Sequence, residues 1–348
     1  MICIVTPAMR QANNGNWQTA QRWAQMLRRH YQVTLVEHWD GGEADVMMAL
    51  HARRSAASID RWASTKPDCP LVVVLTGTDL YRDIESDASA QRSLAQASRL
   101  VVLHERAVDD LPAAYRHKAL ACFQSTPTYT LQNSKTHRHM RALMVGHLRA
   151  EKAPQTYFGA ARKLTGRSDI LLDHIGAALD PALGIEAQAV QQACPLYRWL
   201  GPLPHAAVRR RIQAAHVLVH PSLIEGGAHV VMEAVRSGTP VIASRISGNV
   251  GMLGADYDGY FEPGDTEGLA SLLKRCRDDP ESLGQLGTQC ALRAPLFEPA
   301  REQATLLALV SGLLKTRPSN SGRLTPDHNR PMQRTASGEI CNGTIDLQ

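Results

Sequence analysis

The stretch "HVLVHPSLIEGGAHVVMEAVRSGTPVIAS", residues 216–244, reads as a strand, a turn, a helix and a second strand. "HVLVHPS" and "TPVIAS" are short apolar runs, "LIEGGA" is the turn and "HVVMEAVRSG" the helix. In a parallel sheet, ligands bind at the carboxyl ends of the strands. This turn would let one approach, because Gly226 and Gly227 lack side chains and Ala228 leads into a helix start whose free N–H groups attract an anion. Two carboxylates flank it, Glu225 and Glu233. With helical rise between them they would stand about 12 Å apart, too far to share a proton but suited to the two ends of an elongated ligand. The plain alternative is a capped helix with a solvated Glu233.

The same alternation extends in both directions. "ICIVT" (2–6), "QVTLVE" (32–37), "DVMMALH" (45–51), "LVVVLT" (71–76) and "RLVVLH" (99–104) are continuously apolar and are expected to be buried parallel strands. Between the first two, Ala20, Trp23, Ala24, Leu27 and Tyr31 recur at helical spacing. That pattern predicts a core helix, with Trp23 as a membrane anchor the alternative. A polar stretch at 124–139 reads as a linker. Strand patterns then resume at "MRALMVGHL", "DILLDHIG", "YRWLGPL", "AHVLVHP", "TPVIAS" and "GYFEPGD". The expected fold class is α/β, with two Rossmann-like domains at 1–137 and 138–296 facing a cleft. A C-terminal helix at 297–316 crosses back, and an aperiodic tail at 317–348 is expected to be disordered.

Composition narrows the function. In 348 residues, 44% hydrophobic and 20% charged content describe a globular chain with room for two cores. The formal charge of +5, without a Lys/Arg run, gives no nucleic-acid footprint. Seven cysteines with no CxxC pair argue against a disulfide framework or a zinc site. "MICIVTPAMR" lacks the pattern of a signal peptide, and no run has the roughly 18 apolar residues of a membrane span. The expected location is cytoplasmic, without stable membrane association.

Three further segments carry candidate chemistry. In "VGHLRAEKAPQTYFGAA" (145–161), Gly146 and His147 follow a strand, and Arg149 and Lys152 could neutralise a diphosphate. Alternatively, they form ordinary surface ion pairs with Glu151. "GYFEPGDTEGLASLL" (259–273) ends a strand in a Pro-Gly-Asp turn and a helix cap. At two strand ends of the first domain, Arg10, Asn13, Asn14, Gly15 and Asn16, and then Thr78, Asp79 and Arg82, could hold a small anion. A hydroxyl acceptor would need a base, for which His51 and Asp79 are the candidates. No Asp-x-Asp sequence is read along the chain to hold a divalent metal, and no metal or other cofactor is expected.

These motifs, in this order, resemble the retaining GT-B glycosyltransferases of the glycosyltransferase group 1 (family four) type, over about residues 140–295. The resemblance implies that Glu233 holds the ribose of a nucleotide sugar and Glu225 faces the donor sugar, while Arg149 and Lys152 hold the diphosphate. The chain departs from the family where His147 replaces the usual arginine. "TPAMRQANNGNWQTAQRW", "EHWDGGEADVMMALHARRSA", "VVVLTGTDLYRDI" and "GTPVIASRISGNVGMLGADYDGYFEPGD" are similar to a narrower branch, the selenosugar synthases of selenoneine biosynthesis, over residues 1 to 315. That resemblance implies an enzyme joining selenium from selenophosphate to the anomeric carbon of a UDP-sugar, typically UDP-N-acetylglucosamine, and releasing UDP. The N-terminal domain would take the acceptor. It also implies a functional link to selenophosphate synthetase and selenoneine synthase. The alternatives are the same fold with a hydroxyl or lipid acceptor, and a non-catalytic nucleotide-sugar-binding protein.

Overall fold

Six short runs in the first third of the chain pair as one parallel sheet: β1 (Ile2–Val5), β2 (Val33–Val36), β3 (Val46–Leu50), β4 (Leu71–Val74), β5 (Arg99–Val102) and β6 (Ala119–Ala121). The computed structural model describes residues 1–9, 15–128 and 135–315. Arg10, Asn13, Asn14 and the tail at 317–348 lie outside them. The strand order is β2-β1-β3-β4-β5-β6, with Ile4 opposite Met48 and Met48 opposite Val72. The crossovers carry α1 (Gly15–Leu27), α2 (Ala56–Thr65), α3 (Ile84–Ser86) and α4 (Ala88–Gln96). Of the five runs expected to be buried strands, β1, β3 and β4 are fully buried, and β5 is buried beyond Arg99. β2 departs from that reading. It is only half-buried, because it lies at the sheet edge with one flank open.

The second sheet repeats the plan with β7 (Met140–Val145), β8 (Ile170–Ile175), β9 (Tyr197–Trp199), β10 (Val217–His220), β11 (Val241–Ser244) and β12 (Tyr260–Phe261). Its order is β12-β11-β10-β7-β8-β9, all parallel. The helices are α5 (Pro154–Lys163), α6 (Pro181–Ala193), α7 (His205–Ala214), α8 (His229–Arg236), α9 (Ser247–Leu253), α10 (Thr266–Asp278) and α11 (Pro280–Arg293). The strand order reverses at β10–β7. The turns after those two strands therefore open on the crevice where such sheets take ligands.

A last helix, α12 (Pro299–Lys315), returns to the first sheet. Its Leu306, Leu309, Val310 and Leu313 join Ala20, Trp23, Ala24 and Leu27 of α1 in one apolar cluster. Trp23 is fully buried, as the helical pattern predicts for a core position. Its Nε1–H donates to Glu302 at 2.6 Å, and Arg22 forks onto the same carboxylate at 2.9–3.2 Å. Ser125 donates its backbone N–H to Glu302 at 3.0 Å. The expected linker is therefore no loose connector at its start: Gln124, Ser125 and Thr126 are buried, with Ser125 donating to the fully buried Glu302, Gln124 to Thr19 and Thr126 N–H to the Phe297 carbonyl. Among the described residues no helix is long and apolar enough to cross a membrane.

Two buried histidines brace the sheets and give a pH dependence. His174 on β8 donates Nε2–H to the Gly146 carbonyl at 3.0 Å, so its Nδ1 accepts from the Tyr197 hydroxyl at 3.0 Å. His104 after β5 accepts the Ala107 N–H on Nδ1, leaving Nε2–H for the Tyr81 hydroxyl. Burial lowers both rings from 6.5 to about 4. Between those values the unfolded chain binds protons that the folded chain does not. Stability is then complete above about pH 6.5 and is lost as pH falls toward 4, on the order of 3 kcal/mol per ring. Urea melts from pH 7.5 to pH 4.5 should show the midpoint falling. A flat profile would mean that both rings titrate normally in the folded protein.

Candidate active site

β10 ends at His220, and the chain does not become helical until His229. Glu225 therefore lies in the turn, not one helical run below Glu233, and long-range partners set its position. Lys152, from the short turn Ala150–Lys152 before α5, donates Nζ to Glu225 Oε1, and His220 Nε2 lies 3.2 Å from the same oxygen. Burial pushes the Glu225 carboxyl up, but the Lys152 ammonium and the His220 ring outweigh it and hold it well below the usual carboxylate range. The result is an ionised carboxylate that is mostly buried. The stem of Lys152 runs along Gly146, where a side chain would stand 3.5 Å from it. His174 holds the Gly146 carbonyl from behind, so β8 positions the loop after β7.

The remaining candidates of this half are near by. Arg149 is exposed and its side chain makes no hydrogen bond or ion pair among the described residues. His147 is exposed and accepts the Ala177 N–H on Nδ1 at 3.0 Å. Ala228 N–H donates to Met252 Sδ at 3.2 Å, a soft acceptor. Glu233 is buried on α8 and pairs with His205 Nε2 at 2.5 Å. The Glu233 bond raises the His205 pKa. The chain does hold an Asp-x-Asp, at Asp256–Asp258, but it is engaged elsewhere: Asp258 Oδ2 accepts from Gln285 and Gln289. No three acidic, His or Cys side chains converge as metal ligands among the described residues.

In the first half, Asp79 is fully buried and accepts the N–H groups of Ala52 (3.0 Å), Thr76 (2.9 Å) and Gly77 (2.9 Å). It ties the ends of β3 and β4 together. His51, at the end of β3, has φ 72°, a left-handed conformation uncommon for a residue with a side chain. Its Nδ1 accepts the Arg54 N–H at 3.4 Å, which leaves Nε2–H for Thr78 Oγ1 at 3.2 Å. Burial lowers its pKa, so the ring is neutral. Arg82 is half-exposed, and its Nη1 reaches Glu151 of the other half at 3.7 Å. Gly15 and Asn16 open α1 at the edge of the described chain.

Glycines bring the two halves together. A Cβ on Gly226 would stand 2.5 Å from the Thr76 carbonyl and 2.7 Å from Gly77 N, so the turns after β10 and β4 meet backbone to backbone. Gly227 packs against Leu103 in the same way, and Gly251 of α9 against the His104 ring. The turn that leads into Thr78 and Asp79 thereby abuts the turn that holds Glu225.

Known proteins share this fold. Residues 131–291, which hold Gly146, Arg149, Lys152, Glu225 and Glu233, match the profile of "Glycosyl transferases group 1". Over those residues the chain is similar to the group 1 glycosyltransferases. A curated relative, D-inositol 3-phosphate glycosyltransferase of Streptomyces scabiei, is 23% identical over 300 residues, covering 80% of this chain and 67% of that one. The chain thus spans about two thirds of that relative's length. Sucrose-phosphate synthase from Thermosynechococcus elongatus superposes with a TM-score of 0.73 at 16% identity, over 90% of this chain and 99% of that one. Anabaena Alr3699/HepE in complex with UDP-glucose gives 0.73 at 14% identity, over 89% and 99%. The two parallel sheets are the GT-B architecture. Within residues 131–291, sequence reasoning missed His174, His205, His220 and His229. His220 ends the run "HVLVH" directly before the turn, a position that could have drawn notice; the other three carry no local signal.

Proposed function

We propose that the protein is a UDP-sugar-dependent glycosyltransferase whose acceptor is selenophosphate and whose product is a selenosugar. The observation that carries this reading is the state of the two candidate bases. Both Asp79 oxygens accept backbone N–H groups, and His51 holds its proton on Nε2 toward Thr78. Neither is poised to deprotonate a hydroxyl, which suits a nucleophile that arrives already anionic. The contact of Gly77 with Gly226 leaves a narrow seam and favours a small acceptor over a lipid. A donor carrying UDP agrees with the Anabaena protein's complex with UDP-glucose, and the Streptomyces relative's name also includes a phosphate-bearing substrate.

In this reading Glu233 holds the ribose and Glu225 faces the donor sugar. Lys152 and Arg149 balance the charge that gathers on the departing diphosphate. The Se–C1 bond forms as the C1–O bond to UDP breaks and UDP leaves with the electron pair. Water then cleaves the P–Se bond, releasing phosphate and the selenol sugar.

The test is UDP release from UDP-N-acetylglucosamine. It should be slow alone, accelerate sharply with selenophosphate, and persist in EDTA. The product should show selenium's isotope pattern by mass spectrometry. Release driven by alcohols or lipids and not by selenophosphate would overturn the selenium reading while leaving the glycosyltransferase reading in place.

A further inference from the structure

His229 is the first residue of α8, where side chains lean back past the helix N-terminus. Its Nε2 is buried without a hydrogen-bond partner, a condition native proteins rarely leave uncorrected unless a ligand completes it. His229 also stands one helical turn, about 5.4 Å, before Glu233 on the same helix face. A second unpaired atom lies at this turn. The Thr19 hydroxyl donates to the Gly15 carbonyl at 2.8 Å, so its oxygen can only accept from Gln124 Nε2. That orients the amide and turns the buried, unpartnered Gln124 Oε1 toward Gly227, 3.7 Å from where a Cβ would be. Each half therefore leaves one buried polar atom unsatisfied, His229 Nε2 on α8 and Gln124 Oε1 beside Gly227.

Each cation near the His229 ring already has a carboxylate partner: Arg22 pairs with Glu302, His205 with Glu233 and Lys152 with Glu225. Burial above all keeps that ring neutral, with a pKa of about 3. A neutral imidazole can give Nε2–H to an oxyanion without the cost of desolvating a cation.

We propose that His229 is a further donor-binding residue, presenting Nε2–H to a diphosphate oxygen of the nucleotide sugar, one turn from the carboxylate that holds the ribose. This rests on the nucleotide-sugar reading above and does not depend on the acceptor.

Calorimetric titration of UDP and of uridine into wild type, His229→Leu and His229→Asn tests it. His229→Leu should weaken UDP about tenfold or more, while uridine changes less than about twofold and the melting temperature holds, since an unpaired buried polar group is replaced by an apolar one. His229→Asn, which keeps an N–H, should bind UDP more tightly than His229→Leu. Equal UDP affinity in His229→Leu, or equal losses for UDP and uridine, would overturn the inference and leave the nucleotide-sugar reading standing. A wild-type protein that does not bind UDP would remove that reading, and this inference with it.

Discussion

Lys152→Ala should reduce turnover by about 10³-fold and also destabilise the fold by roughly 3 kcal/mol. The sequence alone suggests only the first effect. The second follows because Glu225 is nearly buried and keeps its charge through Lys152, with His220 the other partner of its carboxylate among the described residues. Removing the ammonium leaves an ion in a site that cannot solvate it. Adding Glu225→Gln to Lys152→Ala should restore most of the stability and none of the turnover, because the buried charge is gone but the diphosphate still lacks its counterion. Arg149→Ala is the control. Its side chain is exposed and without a partner among the described residues, so it should lower turnover and leave the unfolding free energy within about 0.5 kcal/mol of wild type. Steady-state kinetics and urea melts on the four proteins separate the two roles. An unchanged melt for Lys152→Ala would mean that Glu225 takes up a proton at no cost and that the ion pair is incidental.

Gly226→Ala should abolish most turnover, on the order of 10²-fold or more, while leaving UDP affinity close to wild type. The new methyl would overlap the Thr76 carbonyl and Gly77 N, which are backbone atoms that no side-chain rotation can clear. The halves would have to separate there, and a 1 Å misplacement is enough to lose productive alignment between acceptor and donor. Glu233, proposed to hold the ribose, and the basic loop both belong to the second half and stay together, so UDP should not register the change. Kinetics beside calorimetry decide the matter. Normal turnover in Gly226→Ala would show that the seam does not close at this point during catalysis.

How much of this was legible differs between elements. Strands such as "LVVVLT" and "HVLVHPS" are apolar on both faces, a pattern that declares a covered parallel strand without any partner in view. β6 was not read, since "ALA" is short and its residues have little strand preference; pairing with β5 makes it a strand. The half-buried state of β2 was likewise invisible, because strand order is not a property of one run.

The local patterns were enough for the two α/β halves, the turn between β10 and α8, the basic loop after β7 and the start of the chain's return toward the first sheet. They depend on residues within about one element of each other, where periodicity and turn chemistry act. The tertiary structure alone decided what those residues meet. Glu225 is held by Lys152, 73 positions away, and the Ser125 N–H bonds Glu302, 177 positions away. The sequence reading offered His51 and Asp79 as bases; the structure commits one to Thr78 and the other to three backbone N–H groups, two of them in the turn after β4. Such pairings depend on which turns the two sheets bring face to face and on where burial makes an unpaired charge or N–H costly. Neither is expressed in the spacing of residues along the chain.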